Sequence, residues 1–349
     1  MTTTRQSDGL WPRFGAMVTI VMTLLGWSSV PLFLRHFSGM IDVWTSNGWR
    51  YGMSALLWLP VLVVGVARKR LPRRLWRAAL VPAAINCVSQ MAFCWTFYTI
   101  DPGLATFGLR SNIVFATIGA AVLFANERRV VRSRGFLVGL GMVVGGTLGT
   151  MVLGQSLPRG ATLVGIVLAV SSGAGFAAYA LAVRHYMKGI DAITSFAAIS
   201  LYTAVGMVGL MVVLGEGAGV RAIELLRMPL VVGGVGVPGG QFTFLFLSAV
   251  VGIALGHVFY YYSISRLGVA VSAGVVQLQP FIVSLASHGL FGEVLTGPQW
   301  ACGSVAIMGA GVMLLVQHRL NRRSREPFAE LPPDAVAASA LAESDRPGR

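Results

Sequence analysis

The stretch GWSSVPLFLRHFSGMIDVWTS (Gly26–Ser46) recurs without a gap as GFAAYALAVRHYMKGIDAITS (Gly175–Ser195). The two copies share a glycine, an Arg-His pair, an Ile-Asp pair and a closing Thr-Ser pair, each 149 positions apart. A second match follows at a larger spacing, where LFANE, ending at Glu127, corresponds to LFGE, ending at Glu293. The chain is therefore predicted to contain two copies of one unit.

Each copy has enough apolar sequence for five membrane-spanning helices. The chain of 349 residues is 55% hydrophobic and 11% charged, whereas soluble domains carry roughly 25% charged residues. This composition excludes a soluble domain, and unbroken apolar runs exclude an outer-membrane barrel, whose strands alternate. Ten runs approach or exceed the roughly 20 residues that one span needs: 14–35, 43–67, 78–99, 102–124, 135–154, 162–184, 192–215, 242–265, 269–291 and 298–317.

The distribution of basic residues indicates the orientation of these spans. With the N-terminus inside, 21 of the 27 Lys and Arg residues fall on the inner side, four fall outside, and Arg50 and Arg110 lie within spans. Such a bias is typical of multi-pass proteins with positive inner loops. It predicts a bacterial inner (plasma) membrane protein with both termini cytoplasmic. It also accounts for the net charge of +14 without a nucleic-acid partner.

An odd number of spans in each copy turns the second copy over in the membrane. The sequence thus predicts an all-α membrane protein with ten transmembrane helices in two inverted-topology five-helix repeats, 14–154 and 162–317. A cytoplasmic tail, 1–13, precedes them, and a disordered cytoplasmic tail, 318–349, follows. Inverted repeats are typical of secondary transporters, which bind substrate near the bilayer midplane between the repeats.

Several motifs resemble the EamA branch of the drug/metabolite transporter superfamily over about residues 14–316. They are LLGWSSVP in the first run, Arg50 in the second, FANER and FGEVLT. The strongest stretch is RLGVAVSAGVVQLQPFIVSLASHGLFGEVLTGPQWACGSVAIMGAGVMLL (Arg266–Leu315), which contains Pro280 and Glu293, whereas the first copy has Val114 in the place of Pro280. The resemblance implies export or exchange of small metabolites, amino acids or amphipathic compounds by alternating access.

Polar side chains inside the apolar runs are the candidate substrate contacts. An arginine at the centre of a span costs about 2.5–3.5 kcal/mol on insertion scales, so Arg110 is expected to face the bundle interior. There it either holds a substrate carboxylate, donates to helix-end carbonyls, or pairs with a loop acid. Further candidates for an aromatic, amide-lined site are Trp27, Ser28, Asn86, Gln90, Asn112, Tyr179, His257, Tyr260, Gln277 and Gln279.

Each of these candidates also has a structural explanation, since polar side chains within membranes bond neighbouring helices as readily as ligands. His257 either titrates near neutral pH or serves as a neutral donor. Arg50 is expected to snorkel to the outer interface in a structural role. Glu127 and Glu293 are predicted to cap or gate helix ends, and Pro280 is predicted to free a carbonyl and permit a kink.

The sequence therefore predicts a secondary transporter, working as an exporter, with a small-molecule substrate and the lipid bilayer as partners. It shows no catalytic constellation, cofactor motif or metal-ligand spacing, and the alternative is a membrane-embedded enzyme or receptor without transport. Glycine-rich faces serve helix packing within the monomer or a homodimer. They are formed by Gly141, Gly145 and Gly149 on helix five and by Gly252 and Gly256 on helix eight.

Overall fold

The computed structural model describes residues 10–123, 128–153, 159–232, 235–267 and 269–323. Within these residues, ten helices are long and apolar enough to cross a membrane, which confirms the predicted all-α membrane fold with ten spans. Their bounds are α1 Leu10–Phe37, α2 Val43–Ala67, α3 Leu75–Thr99, α4 Pro102–Leu109 with Asn112–Leu123, α5 Arg134–Val152, α6 Arg159–Tyr186, α7 Ala192–Leu214, α8 Gly240–Ala249 with Val250–Leu255 and Gly256–Leu267, α9 Val269–Val276 with Gln279–Phe291, and α10 Gly297–Arg323.

The repeated Asp42 and Asp191 begin corresponding helices of the two copies. Asp42 is the N-cap of α2, where Oδ1 accepts hydrogen bonds from the backbone N–H groups of Trp44 and Thr45, each at 2.9 Å. Asp191 is the N-cap of α7 and accepts from the backbone N–H of Thr194 at 2.9 Å. A carboxylate at this position satisfies a backbone donor that the helix leaves without a partner. The recurring aspartate is thus a helix-start signal in both copies.

The principal helix contacts join the first five helices to the last five. Helix α1 packs on α8 and α9, α2 on α7 and α8, α3 on α6 and α7, α4 on α6 and α9, and α5 on α10. This set of contacts is unchanged when each helix is exchanged for the one five places along the chain, as a duplicated unit requires. The inverted orientation of the two halves stays a prediction.

Helices α5 and α10 approach each other through glycines. A methyl group at Gly146 would collide with the backbone of α10 at Cys302 and Ala306, and one at Gly139 would collide with the backbone at Gly309. Small residues allow this close approach, and close packing is what holds helices together in lipid.

Only some of the glycines in the two predicted faces lie where two helices pack closely. Of the three glycines predicted to form a face on α5, Gly149 packs against Cys302 of α10, whereas Gly141 and Gly145 have open space around them. Packing within the monomer, one of the two predicted roles, therefore holds for Gly149 only, because the face turned to α10 also carries Gly139 and Gly146. Gly252 of α8 does pack closely, against Val30 of α1. A homodimer through the open face stays a prediction.

Two spans are interrupted at corresponding depths. In α4, Arg110 and Ser111 form a turn in which each backbone N–H bonds the carbonyl three residues earlier, and Gln277 and Leu278 do the same in α9. The predicted kink near Pro280 is therefore present, and Pro280 lies in the first turn of the second part of α9. The sequence did not predict the matching interruption in α4, which has no proline at this place.

Two local features also went unpredicted. Residues Val250–Leu255 of α8 form a π-helical turn, which is wider than an α-helical turn and is frequent at functional sites. The segment between α7 and α8 contains an antiparallel hairpin of β1 Leu230–Val232 and β2 Val235–Val237. The sequence showed only an insertion there.

Candidate functional site

A narrow cavity lies between the two halves of the bundle. Its volume is about 10 Å³, roughly the room of one water molecule. Helices α2 and α3 of the first half and α6, α7 and α8 of the second contribute to its wall. The lining residues are Tyr51, Asn86, Gln90, Tyr179, Phe196, Ile199, Ser200, Ile253 and His257.

Four of the predicted site residues meet in this cavity: Asn86, Gln90, Tyr179 and His257. Asn86 and Gln90 lie one turn apart on α3, so their amides share one face, as their spacing predicted. The Nδ2 of Asn86 donates to the hydroxyl of Thr203 on α7 at 3.2 Å. This bond joins the two halves and orients the amide.

His257 lies between aromatic rings at the wall of the cavity. Its Nδ1 is 3.0 Å from the carbonyl oxygen of Ile253; since a carbonyl only accepts, Nδ1 carries a proton and donates this bond. The ring stacks on Phe196 with centroids 4.8 Å apart and meets the edge of Trp27 at 5.4 Å. This geometry agrees with the interpretation of His257 as a neutral donor.

Arg110 forms a second polar group at the interruptions of α4 and α9. Its Nη2 donates to Oε1 of Gln279 at 2.6 Å, and its Nη1 donates to the Val276 carbonyl at 3.3 Å and to Oε1 of Gln277 at 3.4 Å. Val276 lies four residues before Pro280, so its carbonyl is the one that the missing proline N–H leaves without a helical partner. The predicted freed carbonyl therefore accepts from Arg110.

The guanidinium of Arg110 is buried and has no carboxylate beside it. Arg110 is 6% exposed, and its Nε has no hydrogen-bond partner. None of the ion pairs among the described residues includes it. Of the three roles predicted for Arg110, donation to helix-end carbonyls is observed, pairing with a described loop acid is not, and binding of a substrate carboxylate stays a prediction.

Trp27 separates the cavity from the group around Arg110. Its carbonyl accepts from Nε2 of Gln279 at 2.8 Å, while its ring contacts His257 and packs on Tyr260 with centroids 4.9 Å apart. The structure therefore divides the predicted site into two parts that meet at α1.

Two further predicted residues, Ser28 and Asn112, belong to neither group. Ser28 is 2% exposed, and its hydroxyl has no hydrogen-bond partner. Asn112 is half-buried at the start of the second part of α4. Glu127 lies outside the described residues.

Arg50 is buried on α2 instead of reaching the outer interface. It is 2% exposed, its Nε donates to the hydroxyl of Ser248 on α8 at 3.0 Å, and its Nη2 has no hydrogen-bond partner. The prediction that Arg50 snorkels is wrong, because Gly252 and Val30 bring α8 and α1 into close contact beside it.

An ion cluster joins the last turn of α1 to the segments that follow α3 and α9. The Nε of Arg35 lies 2.9 Å from Oε1 of Glu293, and its Nη2 lies 3.6 Å from Oδ1 of Asp101. The Ser287 hydroxyl donates to the other oxygen of Glu293. Burial raises the pKa of the Glu293 carboxyl, and the charge of Asp101 adds to this shift, while Ser287 and Arg35 oppose it only in part.

Sequence reasoning missed several of these residues. Tyr51, Phe196 and Ser200 line the cavity, and Arg35 pairs with Glu293. Ser200 and Thr203 lie three residues apart, so a polar face on α7 was readable from their spacing. No sequence signal identified the two aromatic residues, since aromatic residues are common throughout the spans.

The fold and the cavity define a multi-pass helical membrane protein whose two halves enclose a small polar chamber. The model of the EamA-like transporter family matches residues 163–316, the second half of the chain. This half of the chain therefore resembles the EamA-like transporters, which confirms the resemblance found in the sequence.

Solved structures support the fold independently. Fifteen of their chains are similar to this one. One, from a crystal structure, has a TM-score of 0.52 and 15% identity, over 87% of this chain and 98% of its own. At that identity the likeness concerns the fold alone. A search of curated proteins gave no match.

Proposed function

We propose that the protein is a secondary transporter that binds a small metabolite, amino acid or amphipathic compound in the cavity between its halves and exports it across a bacterial inner membrane. The observation that carries this proposal is the closed polar cavity itself, whose amides come from the first half and whose hydroxyl and imidazole groups come mainly from the second. Binding sites at the interface of two halves are typical of secondary transporters.

The small size of the cavity supports a mechanism of alternating access. A space with room for about one water molecule admits a metabolite only after the halves separate, so the described arrangement is a closed one. The interruptions at Arg110 and Gln277 provide natural hinges, because their three-residue turns replace the regular helical bonds. The ion cluster of Arg35, Asp101 and Glu293 acts as the outer gate.

The proposal is tested by transport into proteoliposomes of a defined panel of amino acids and small organic acids, amides and amines, with and without a pH gradient. We expect concentrative or exchange transport of at least one compound. The variant Gln90→Met removes a cavity amide at nearly constant volume and should reduce transport, while Thr243→Val, an exposed position on α8, should not. Equal transport by empty liposomes and by the loaded ones would refute the proposed function.

Both termini are expected in the cytoplasm, because the inner segments carry most of the basic residues. Reporter fusions at residue 1 and residue 349 should both be active only as cytoplasmic reporters. An external C-terminus would contradict the even number of spans and the proposed direction of both halves.

The outer gate is expected to close more firmly on acidification. Because burial raises the Glu293 pKa, the closed protein binds this proton more strongly than an opened or unfolded one does. Its stability is therefore greatest below the ordinary glutamate range near pH 4.3 and declines as pH rises through the raised pKa. The unfolding temperature of the wild type, relative to Glu293→Gln, should therefore fall as the pH rises above the ordinary glutamate range.

Glu293→Gln serves as the matched variant because glutamine accepts from Arg35 but does not titrate. Its substrate affinity should equal that of the wild type at low pH. An opposite pH trend, or a large loss of affinity in this variant, would show that Glu293 belongs to the binding site and not to the gate.

A further inference from the structure

Two arginines, Arg50 and Arg110, are buried within the spans, and no carboxylate among the described residues forms an ion pair with either. Buried cations in membrane bundles generally pair with acids or backbone carbonyls. Arg110 meets this requirement with three amide or carbonyl acceptors. Arg50 does not, since among the described residues its Nε donates to one serine hydroxyl and its Nη2 has no acceptor.

The unpaired Nη2 donor of Arg50 indicates which kind of group would complete its hydrogen bonds. A guanidinium presents five N–H groups in a fork that matches a carboxylate, and Nη2 of Arg50 is buried without an acceptor. The Ser248 hydroxyl that meets Nε is itself held by the carbonyl of Leu245 at 2.6 Å. One edge of the guanidinium is thus fixed, and the other is left for an anion.

Arg50 lies directly beside the cavity. The next residue on α2, Tyr51, lines it, and so does Ile253 of α8. The residue before Ile253 is Gly252, where an added methyl would lie 3.8 Å from Nη2 of Arg50. Both α8 residues belong to the π-helical turn Val250–Leu255.

The other residues that line the cavity indicate the chemistry of the solute beyond its carboxylate. Amides from Asn86 and Gln90 and rings from Tyr51, Tyr179 and Phe196 suit an uncharged, partly aromatic body. No carboxylate lines the cavity among the described residues, so an amine would meet the like charge of Arg50 without a counter-ion.

We infer that the transported solute is an organic carboxylate, and that its carboxylate pairs with Arg50 at one end of the cavity while its uncharged body contacts the amides and aromatic rings. This inference rests on the proposed transport function and assigns Arg50 a role in specificity. It also explains why a cation persists at this depth without an acid of its own.

The test compares three probes of one skeleton, phenylacetate, phenylacetamide and phenethylamine, in thermal unfolding of the purified full chain in detergent. We expect phenylacetate alone to raise the unfolding temperature. In Arg50→Gln the apparent affinity for phenylacetate should fall about ten- to a hundredfold, as expected for the loss of charged hydrogen bonds. Arg221→Gln, at an exposed arginine that pairs with Glu216, should respond like the wild type.

A second variant keeps the inference testable if Arg50→Gln fails to fold. Ser248→Asp places a carboxylate beside Nε of Arg50, so it should raise the unfolding temperature without ligand and remove the response to phenylacetate. Stabilisation by the amine or amide equal to that by phenylacetate, the absence of any response, or an unchanged response in Ser248→Asp would overturn the inference.

Uptake of the same probes tests the carboxylate inference separately from the proposed transport function. Transport of phenethylamine or phenylacetamide in preference to phenylacetate would leave the proposed function intact and overturn the carboxylate assignment. Binding of phenylacetate that depends on Arg50, in a protein that transports no compound of the panel, would refute transport and retain the anion site.

Discussion

Replacing Arg110 by alanine is expected to abolish transport while leaving membrane insertion normal. The substitution removes the donor shared by Val276, Gln277 and Gln279 at the interruptions of α4 and α9. A hydrogen bond to a charged group contributes about 1.5–3 kcal/mol, so loss of this junction should disturb both hinges and the carbonyl of Trp27 that Gln279 holds. Transport should be measured in proteoliposomes with equal amounts of inserted protein.

Two controls identify the cause of that loss. Arg110→Lys retains the charge without the planar fork and should recover only part of the activity. Arg221→Gln removes an exposed arginine and should be fully active. Full activity of Arg110→Ala would exclude Arg110 from substrate binding and from the hinge.

The variant Gly146→Val is expected to separate α5 from α10 and to lower the unfolding temperature strongly. The added side chain would meet backbone atoms of Cys302 and Ala306, which are unable to turn away as a side chain does. Overpacking of this kind typically costs about 1–3 kcal/mol and occasionally more. The effect is measured by thermal unfolding of the purified protein in detergent.

Gly141→Val is the matched control, because it adds the same side chain to the same helix at a position with open space. It should change the unfolding temperature little. If the two variants were equally destabilised, the cost would come from the helix itself and not from the contact with α10.

The spans were predictable because lipid imposes a simple requirement. Each span must satisfy its own backbone, so it is a long apolar helix, and the predicted run 43–67 coincides with α2 Val43–Ala67. The start of α2 was also marked in the sequence, since the repeated aspartate is a helix cap. Both signals are local and need no knowledge of neighbouring helices.

The candidate site was predictable only in part. The spacing of Asn86 and Gln90 on one helix face placed them correctly together, whereas their separation from Arg110 depends on where the ring of Trp27 lies between α1 and α8. The burial of Arg50 likewise depends on the approach of Gly252 to Val30 from another helix. Positions across helices are set by packing, which periodicity within one helix does not record.

By itself, the sequence determined that ten apolar helices cross a bilayer and that two related copies build them, because hydrophobicity and repetition can be read directly from the order of the residues. The tertiary structure alone decided that Arg50 is buried, that neither Arg50 nor Arg110 pairs with a described acid, that α4 breaks without a proline, and that a narrow cavity lies between the halves. These features arise where side chains from distant segments compete for the same space and the same hydrogen bonds, and such competition appears only when the helices are packed together.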